Sequence, residues 1–284
     1  MKLAHLLLVH TNPSQVERLV KRLMYTETDI YIHLVKKSNR KEFIRLESIP
    51  NVFFITRRIK VIWGNYSMVE ATLQSMKQIL DAPQVYSHIN LLSGQDYPLK
   101  NAGEIQKFFF SNTGKTFMKS LSIYDNWTEA VLRLKTYHFD NSYPFKYKIQ
   151  FLLNKILPKK QLPNNLNAYG LSQWFTITPE HAQYVIDYLT EHKSVKRFFA
   201  MTWGADELVF QTVLLNSRWK DNIVNDYLRH INFPKGKASP RIFTMKDSEE
   251  LRISNRFYAR KFDTVIDSNI LDYLDACIDK LEKT

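Results

Sequence analysis

Apolar positions in the first third of the chain fall in short, nearly unbroken runs. Residues 3–9 (LAHLLLV), 30–35 (IYIHLV), 51–55 (NVFFI) and 86–92 (YSHINLL) read as strands buried on both faces. The turn Thr11-Asn12-Pro13 follows the first run. Ser14 then caps a helix with Val16, Leu19, Val20 and Leu23 at helical spacing. After the turn WGNY, residues 67–80 place Val69, Leu73, Met76 and Leu80 on one helical face. This β-α-β-β-α-β alternation predicts an α/β fold, a mostly parallel sheet with flanking crossover helices.

The second half is more mixed. Residues 102–110 read as helix, and 115–121 and 131–139 as extended, the latter alternating as VLRLKTYHF. Residues 145–157 form a basic amphipathic pattern. Phe145, Ile149, Leu152, Leu153 and Ile156 are apolar, with Lys146, Lys148 and Lys155 elsewhere, and Pro158-Lys159-Lys160 follows. Two readings stay open for it: a core helix with a solvated lysine side, or a helix docking on a membrane through Lys155, Lys159 and Lys160. Residues 172–178 (SQWFTIT) read as strand, and Pro179 opens a helix running to about 190. Two more helices are expected at 206–216 and 267–281, and no internal repeat is visible.

Composition narrows the function classes. The chain has 284 residues, only seven of them glycine, so flexible linkers are not expected. The net charge of +12 predicts attraction to nucleic acid, an anionic membrane surface or a phosphorylated ligand. No nucleic-acid-binding module signature is present, so nucleic acid is not an expected partner. A single cysteine, Cys277, allows no disulfide within the chain and fits a reducing compartment. The first ten residues lack a cleavage site, and no run has the length of a membrane span.

Motifs exclude more than they assign. The eight histidines are scattered without zinc-ligand spacing. Neither a P-loop nor a dinucleotide fingerprint occurs. Nucleotide-sugar enzymes often hold Mg²⁺ or Mn²⁺ with Asp-x-Asp after the fourth strand. Here Ser93-Gly94-Gln95-Asp96 offers one carboxylate there, so a protein-held metal is not expected. The other close acid pairs, Glu27/Asp29 and Asp247/Glu249, lie elsewhere. A diphosphate bound without metal would need cations, and Lys235, Lys237, Arg241, Arg260 and Lys261 are candidates, or else solvated surface charges. Glu207 stands at a helix start, in WGADELVF. The helix dipole there favours an ionised carboxylate and suits a base, while capping explains a first-turn acid equally well.

Several windows, taken in order, carry a resemblance. They are HLLLVHTNPSQVERLVKRL at 5–23, YIHLVKKS at 31–38, VIWGNYSMVEATL at 61–73, INLLSGQDYPLK at 89–100, LSQWFTIT at 171–178, ADELVFQTVLLNS at 205–217, LRHINF at 228–233 and FYARKFD at 257–263. Together they resemble glycosyltransferase family 14, the core-2/I-branching N-acetylglucosaminyltransferases and peptide O-xylosyltransferases, in a bacterial-type form. The resemblance implies one GT-A-like domain over 1–284, with residues 1–100 binding the nucleotide sugar and 101–284 serving the acceptor and catalysis. It implies an inverting, metal-independent transfer from a UDP-sugar, N-acetylglucosamine being the first choice, to a glycan hydroxyl. Glu207 matches the general base, and Arg241 and Lys261 the basic pair on the diphosphate. His10, Trp63, Gly64, Ser67 and Asp96 fall in nucleotide-pocket windows, and Trp174, Phe233 and Asp206 fall on the sugar and acceptor side. Val35 stands where the family often has Asp before two lysines. Gln173 stands where some xylosyltransferase-like members have Asp, which leaves Glu207 as base and tilts against xylose. The resemblance also implies a cytoplasmic enzyme of surface-polysaccharide synthesis, acting on a glycan or lipid-linked acceptor, and the basic helix at 145–160 would suit docking on the inner face of the membrane. A metal-dependent GT-A enzyme of other donor specificity and a non-catalytic polyanion-binding protein are the alternatives.

Overall fold

The computed structural model describes residues 1–139, 146–234, 236 and 239–281. The chain forms two compact units, each built from separated segments. One comprises Met1–Thr56, Pro83–Thr113 and Leu228–Thr284, the other Arg57–Ala82 and Gly114–Tyr227. This grouping differs from a division at residue 100. The late strands Arg229–Ile231 and Tyr258–Arg260 return to pair with the early strand Asp96–Pro98 and carry the C-terminal segment into the first unit.

In the first unit Val52–Phe54, Thr28–Leu34, Lys2–Val9 and Tyr86–Ser93 lie side by side, each adjacent pair parallel. The near-continuous apolar runs have the burial that parallel strands covered by helices require, and Leu3, Leu6, Leu7, Ile30, Ile32, Ile89 and Leu91 are almost wholly buried. Some buried polar side chains on these strands are hydrogen-bonded to one another. His5 Nδ1 lies 2.9 Å from Asn90 Nδ2, and Arg229 donates to Asn90 Oδ1 at 2.6 Å. Burial, and then the Arg229 charge, lower the His5 pKa to about 3, so this imidazole stays neutral in the core.

The helix after the first strand spans Pro13–Leu23. Its cap is Asn12 and not Ser14: the Asn12 side chain accepts from the Gln15 amide at 3.2 Å. Pro13 fills the first turn, where no backbone N–H is needed, which moves Ser14 inside the helix.

In the second unit Thr116–Ser122 pairs antiparallel with Tyr169–Ile177 and parallel with Ile223–Val224. The helices Ser67–Leu80 and Pro179–Glu191 match expectation. Residues 131–139 do not form the expected strand. Val131–Lys135 is a short helix, consistent with the high helix propensity of Leu, Arg and Lys, and Arg133 projects from it against two tryptophans.

The helix Lys146–Ile156 covers most of the expected amphipathic segment, whose Phe145 lies outside the described residues. Its polarity is opposite to that of a core helix. Asn154 Oδ1 accepts from the Tyr137 amide at 2.7 Å, Asn154 Nδ2 donates to Tyr137 O at 2.9 Å, and Gln150 Oε1 accepts from the Phe139 amide at 3.2 Å. Ile149, Phe151, Leu152 and Ile156 are meanwhile exposed. Lys160 is not on this surface. It is buried, and its ammonium donates to Met201 O at 2.6 Å and Thr202 Oγ1 at 2.7 Å, with burial pulling its pKa down to about 7. Among the described residues no helix is long and apolar enough to cross a membrane.

Candidate active site

The second unit presents Glu207 on a tightly turned loop. Gly204 adopts a left-handed conformation (φ +67°), and a Cβ there would lie 3.0 Å from Arg133 Nη1. The turn is fastened from two sides: Gly204 N donates to Gly64 O at 2.8 Å, and Glu207 N donates to Gly204 O at 3.1 Å. A single 3-10 turn, Ala205–Glu207, precedes the helix Val209–Leu215, so the expected helix at 206–216 starts later than anticipated. The Glu207 side chain is one third exposed, and Arg133 Nη1 donates to its Oε2 at 2.6 Å. The Arg133 guanidinium itself packs on Trp127 and Trp203, 4.9 and 4.4 Å from their ring centroids. The carboxylate is thus fixed in orientation yet reachable, as a base acting on an incoming hydroxyl must be.

Asp206, next to it, is in the opposite environment. It is buried and its Oδ1 lacks a hydrogen-bond partner. Burial first, and the Glu207 charge second, raise its pKa to about 7. The cap positions of the 3-10 turn and of the helix are Gly204 and Leu208, so Asp206 is not the cap residue of either.

Of the other expected residues of this unit, Trp63 and Gly64 contact Trp203 at the start of the same loop. Trp63 is exposed and meets the edge of Trp203 at 5.5 Å between centroids. Gly64 has φ +76°, and a Cβ there would come within 2.5 Å of Trp203 Nε1. The Ser67 hydroxyl accepts from the Ile62 amide at 2.9 Å and ties the WGNY turn to its helix. Trp174 is buried on the strand Tyr169–Ile177, with 9% of its surface exposed, which leaves little of the ring for stacking on a sugar.

In the first unit the expected residues occupy four settings. Asp96 is fully buried, its Oδ2 accepting from the Ser93 amide at 2.7 Å, from the Ser93 hydroxyl and from Arg260 Nη1 at 3.0 Å. As placed, the pair holds the loop together and turns no carboxylate oxygen to solvent. Arg241 is engaged by acids: its Nη2 lies 3.0 Å from Asp247 Oδ1 and 2.9 Å from Glu250 Oε2. Lys261 is half-buried and has no ion-pair partner among the described residues. Its charge, after desolvation, helps to hold the His10 imidazole below its usual range. Phe233 is exposed, and Lys235 and Lys237 lie outside the described residues. Among the described residues no three His, Cys, Asp or Glu side chains gather as metal ligands would. A cleft of ≈ 370 Å³ beside the helix Pro13–Leu23 is lined by Arg18, Arg22 and Asp275, and contains none of these residues.

Sequence reasoning missed Arg133 and its two tryptophan neighbours. The apparent alternation of VLRLKTYHF masked a helical signal, apolar residues at 131, 132 and 134 with Arg133 among them.

The sequence profile of the Core-2/I-branching enzyme family matches residues 3–255, and the chain belongs to this glycosyltransferase family. It is 29% identical over 303 residues to xylosyltransferase 2 of Rattus norvegicus and 28% identical to that of Homo sapiens, each alignment covering 97% of this chain and 33% of the relative. Xylosyltransferase 1 of Rattus norvegicus is 25% identical over 301 residues, with 35% of its length covered. The chain thus spans about a third of the length of the curated relatives it matches. Among solved structures, a galactosyltransferase, LgtC, in complex with donor and acceptor sugar analogs superposes with a TM-score of 0.48 at 8% identity, covering 98% of this chain and 95% of that one. Mouse xyloside xylosyltransferase 1 in its apo form superposes with a TM-score of 0.43 at 10% identity, covering 90% and 97%.

Proposed function

We propose that this chain moves a sugar from a UDP-sugar to a glycan hydroxyl with inversion at the anomeric carbon, in bacterial surface-polysaccharide synthesis at the cytoplasmic side of the membrane. The single observation that carries the reading is Glu207, one third exposed and clamped by Arg133. An inverting displacement needs one base. The acceptor oxygen attacks the anomeric carbon, the bond from that carbon to the diphosphate breaks, its electron pair leaves with UDP, and the hydroxyl proton passes to Glu207 Oε1 or Oε2. Neutralisation of the departing diphosphate falls to Lys261 and, after rearrangement of its acid partners, to Arg241. No protein-held metal enters this proposal.

UDP-N-acetylglucosamine is the first donor proposed. A second reading, UDP-xylose, is favoured by the names of the curated relatives. The test is UDP release with each donor in EDTA, with a polysaccharide-repeat acceptor, for the natural chain and Glu207→Gln. Turnover by the natural chain alone, with calorimetric UDP affinity retained in the variant, is expected. Turnover that needs added Mn²⁺ would refute metal independence, and turnover retained in Glu207→Gln would refute the base.

A further inference from the structure

We propose that the outward face of the helix Lys146–Ile156 docks on an anionic lipid bilayer. This helix turns its amphipathic pattern inside out. Gln150 and Asn154 satisfy the backbone of 137–139, while Ile149, Phe151, Leu152 and Ile156 are 49%, 63%, 55% and 69% exposed. Ile149, Leu152 and Ile156 fall within about 60° of the helix surface, and Phe151 lies about 100° beyond Leu152 with Lys148 and Lys155 between them, a mixed apolar and basic surface on the exposed side of the helix.

Charge selects the occupant. Residues 141–159 contain four lysines and no Asp or Glu. Lys148, Lys155 and Lys159 are exposed on or beside the apolar face, and the Lys155 ammonium lies 4.4 Å from the Phe151 ring centroid. A second copy of the chain would set these lysines against their own counterparts, which disfavours self-association. An anionic bilayer satisfies both components: the apolar side chains enter the acyl boundary while the lysine stems reach to the headgroups. Eleven helical residues extend roughly 16 Å, enough to lie along the interface and too short to span it. The surface does not depend on the donor or acceptor proposed above. It would place the enzyme where a lipid-linked acceptor is found.

The experiment is cosedimentation with phosphatidylcholine vesicles, with and without phosphatidylglycerol, in the absence of nucleotide and acceptor. The natural chain should bind the phosphatidylglycerol vesicles and lose binding as salt rises. Replacing Lys148, Lys155 and Lys159 with Gln should weaken partitioning about a hundredfold, at roughly fivefold per lysine. Phe151→Ser, Leu152→Ser and Ile156→Ser together should weaken it at least tenfold with no change in charge. A charge-matched control, Lys41→Gln, Lys77→Gln and Lys193→Gln, should stay within about twofold. Equal loss in that control, or no loss in the apolar variant, would overturn the assignment in favour of diffuse charge attraction. A dimer in sedimentation velocity that vanishes in the apolar variant would overturn it in favour of a second copy. All substituted side chains are exposed, so circular dichroism should be unchanged. UDP titration of the same variants reports separately on the nucleotide reading.

Discussion

Asp206→Asn is the substitution whose outcome the geometry determines most sharply. The carboxyl is 8% exposed, and its Oδ1 lacks a partner. Desolvation, followed by the neighbouring Glu207 charge, raises its pKa from 3.8 to about 7. Between those two values the folded chain holds a proton that the unfolded chain has released. Stability therefore falls as pH rises through that window and levels off above it. At about 1.4 kcal/mol per pKa unit the whole window is worth about 4 kcal/mol, of which more than half is lost between pH 5 and pH 8. The asparagine cannot titrate. Urea unfolding of both proteins at pH 5 and pH 8 isolates this one group, because any fixed cost of the new amide cancels between the two conditions. The variant should gain about 2–3 kcal/mol on the natural chain from pH 5 to pH 8. In a Glu207→Gln background the gain should shrink, since the second cause of the shift is removed. A stability difference that is the same at both pH values would refute the claim that Asp206 is held protonated by burial.

Arg133→Met should lower kcat about ten- to a hundredfold, the loss of a charge-assisted hydrogen bond of about 1.5–3 kcal/mol, with UDP affinity unchanged; steady-state kinetics beside calorimetry reads both. Arg133→Lys should recover part of this, because the charge returns and the packing on Trp127 and Trp203 does not. Lys261→Ala should weaken UDP binding about tenfold by calorimetry, by loss of one cation near a diphosphate. Gly64→Ala should destabilise the chain by about 2–4 kcal/mol, combining a left-handed backbone with a Cβ set 2.5 Å from Trp203 Nε1, and thermal unfolding should show a fall of several degrees.

Elements with their own periodicity were legible in the chain, and those defined by distant partners were not. The strands expected at 3–9, 30–35 and 86–92 appear as Lys2–Val9, Thr28–Leu34 and Tyr86–Ser93, because seven or eight residues of buried apolar pattern need no further information. The sheet of Asp96–Pro98, Tyr258–Arg260 and Arg229–Ile231 went unread: three residues carry no period, and the partners come from opposite ends of the chain. The loop at 203–208 was visible as WGADEL, but the clamp on Glu207 comes from Arg133, about seventy positions away in sequence and hidden in a pattern that mimics a strand. Lys160 shows a converse limit. It reads as one more surface lysine of a basic run, and only the fold reveals that the Met201 carbonyl and the Thr202 hydroxyl enclose it.

The cations expected to replace a metal are not equivalent, and this bears on how a diphosphate would be received. Arg260 is committed to Asp96 inside the protein. Arg241 carries two acids on one nitrogen, so a phosphate reaching it must displace Asp247 or Glu250 and leave that carboxylate to find solvent or His230, which already lies 2.8 Å from Glu250. The electrostatic gain from Arg241 is therefore reduced by the ion pairs it gives up. Lys261 has no such debt, and its charge already reaches His10. Affinity for UDP should accordingly rest more on Lys261 than on Arg241, while Arg241→Ala should act mainly on stability by leaving Asp247, 9% exposed, without its partner. If UDP titration ranks the two variants the other way, Arg241 changes its partners when the nucleotide binds.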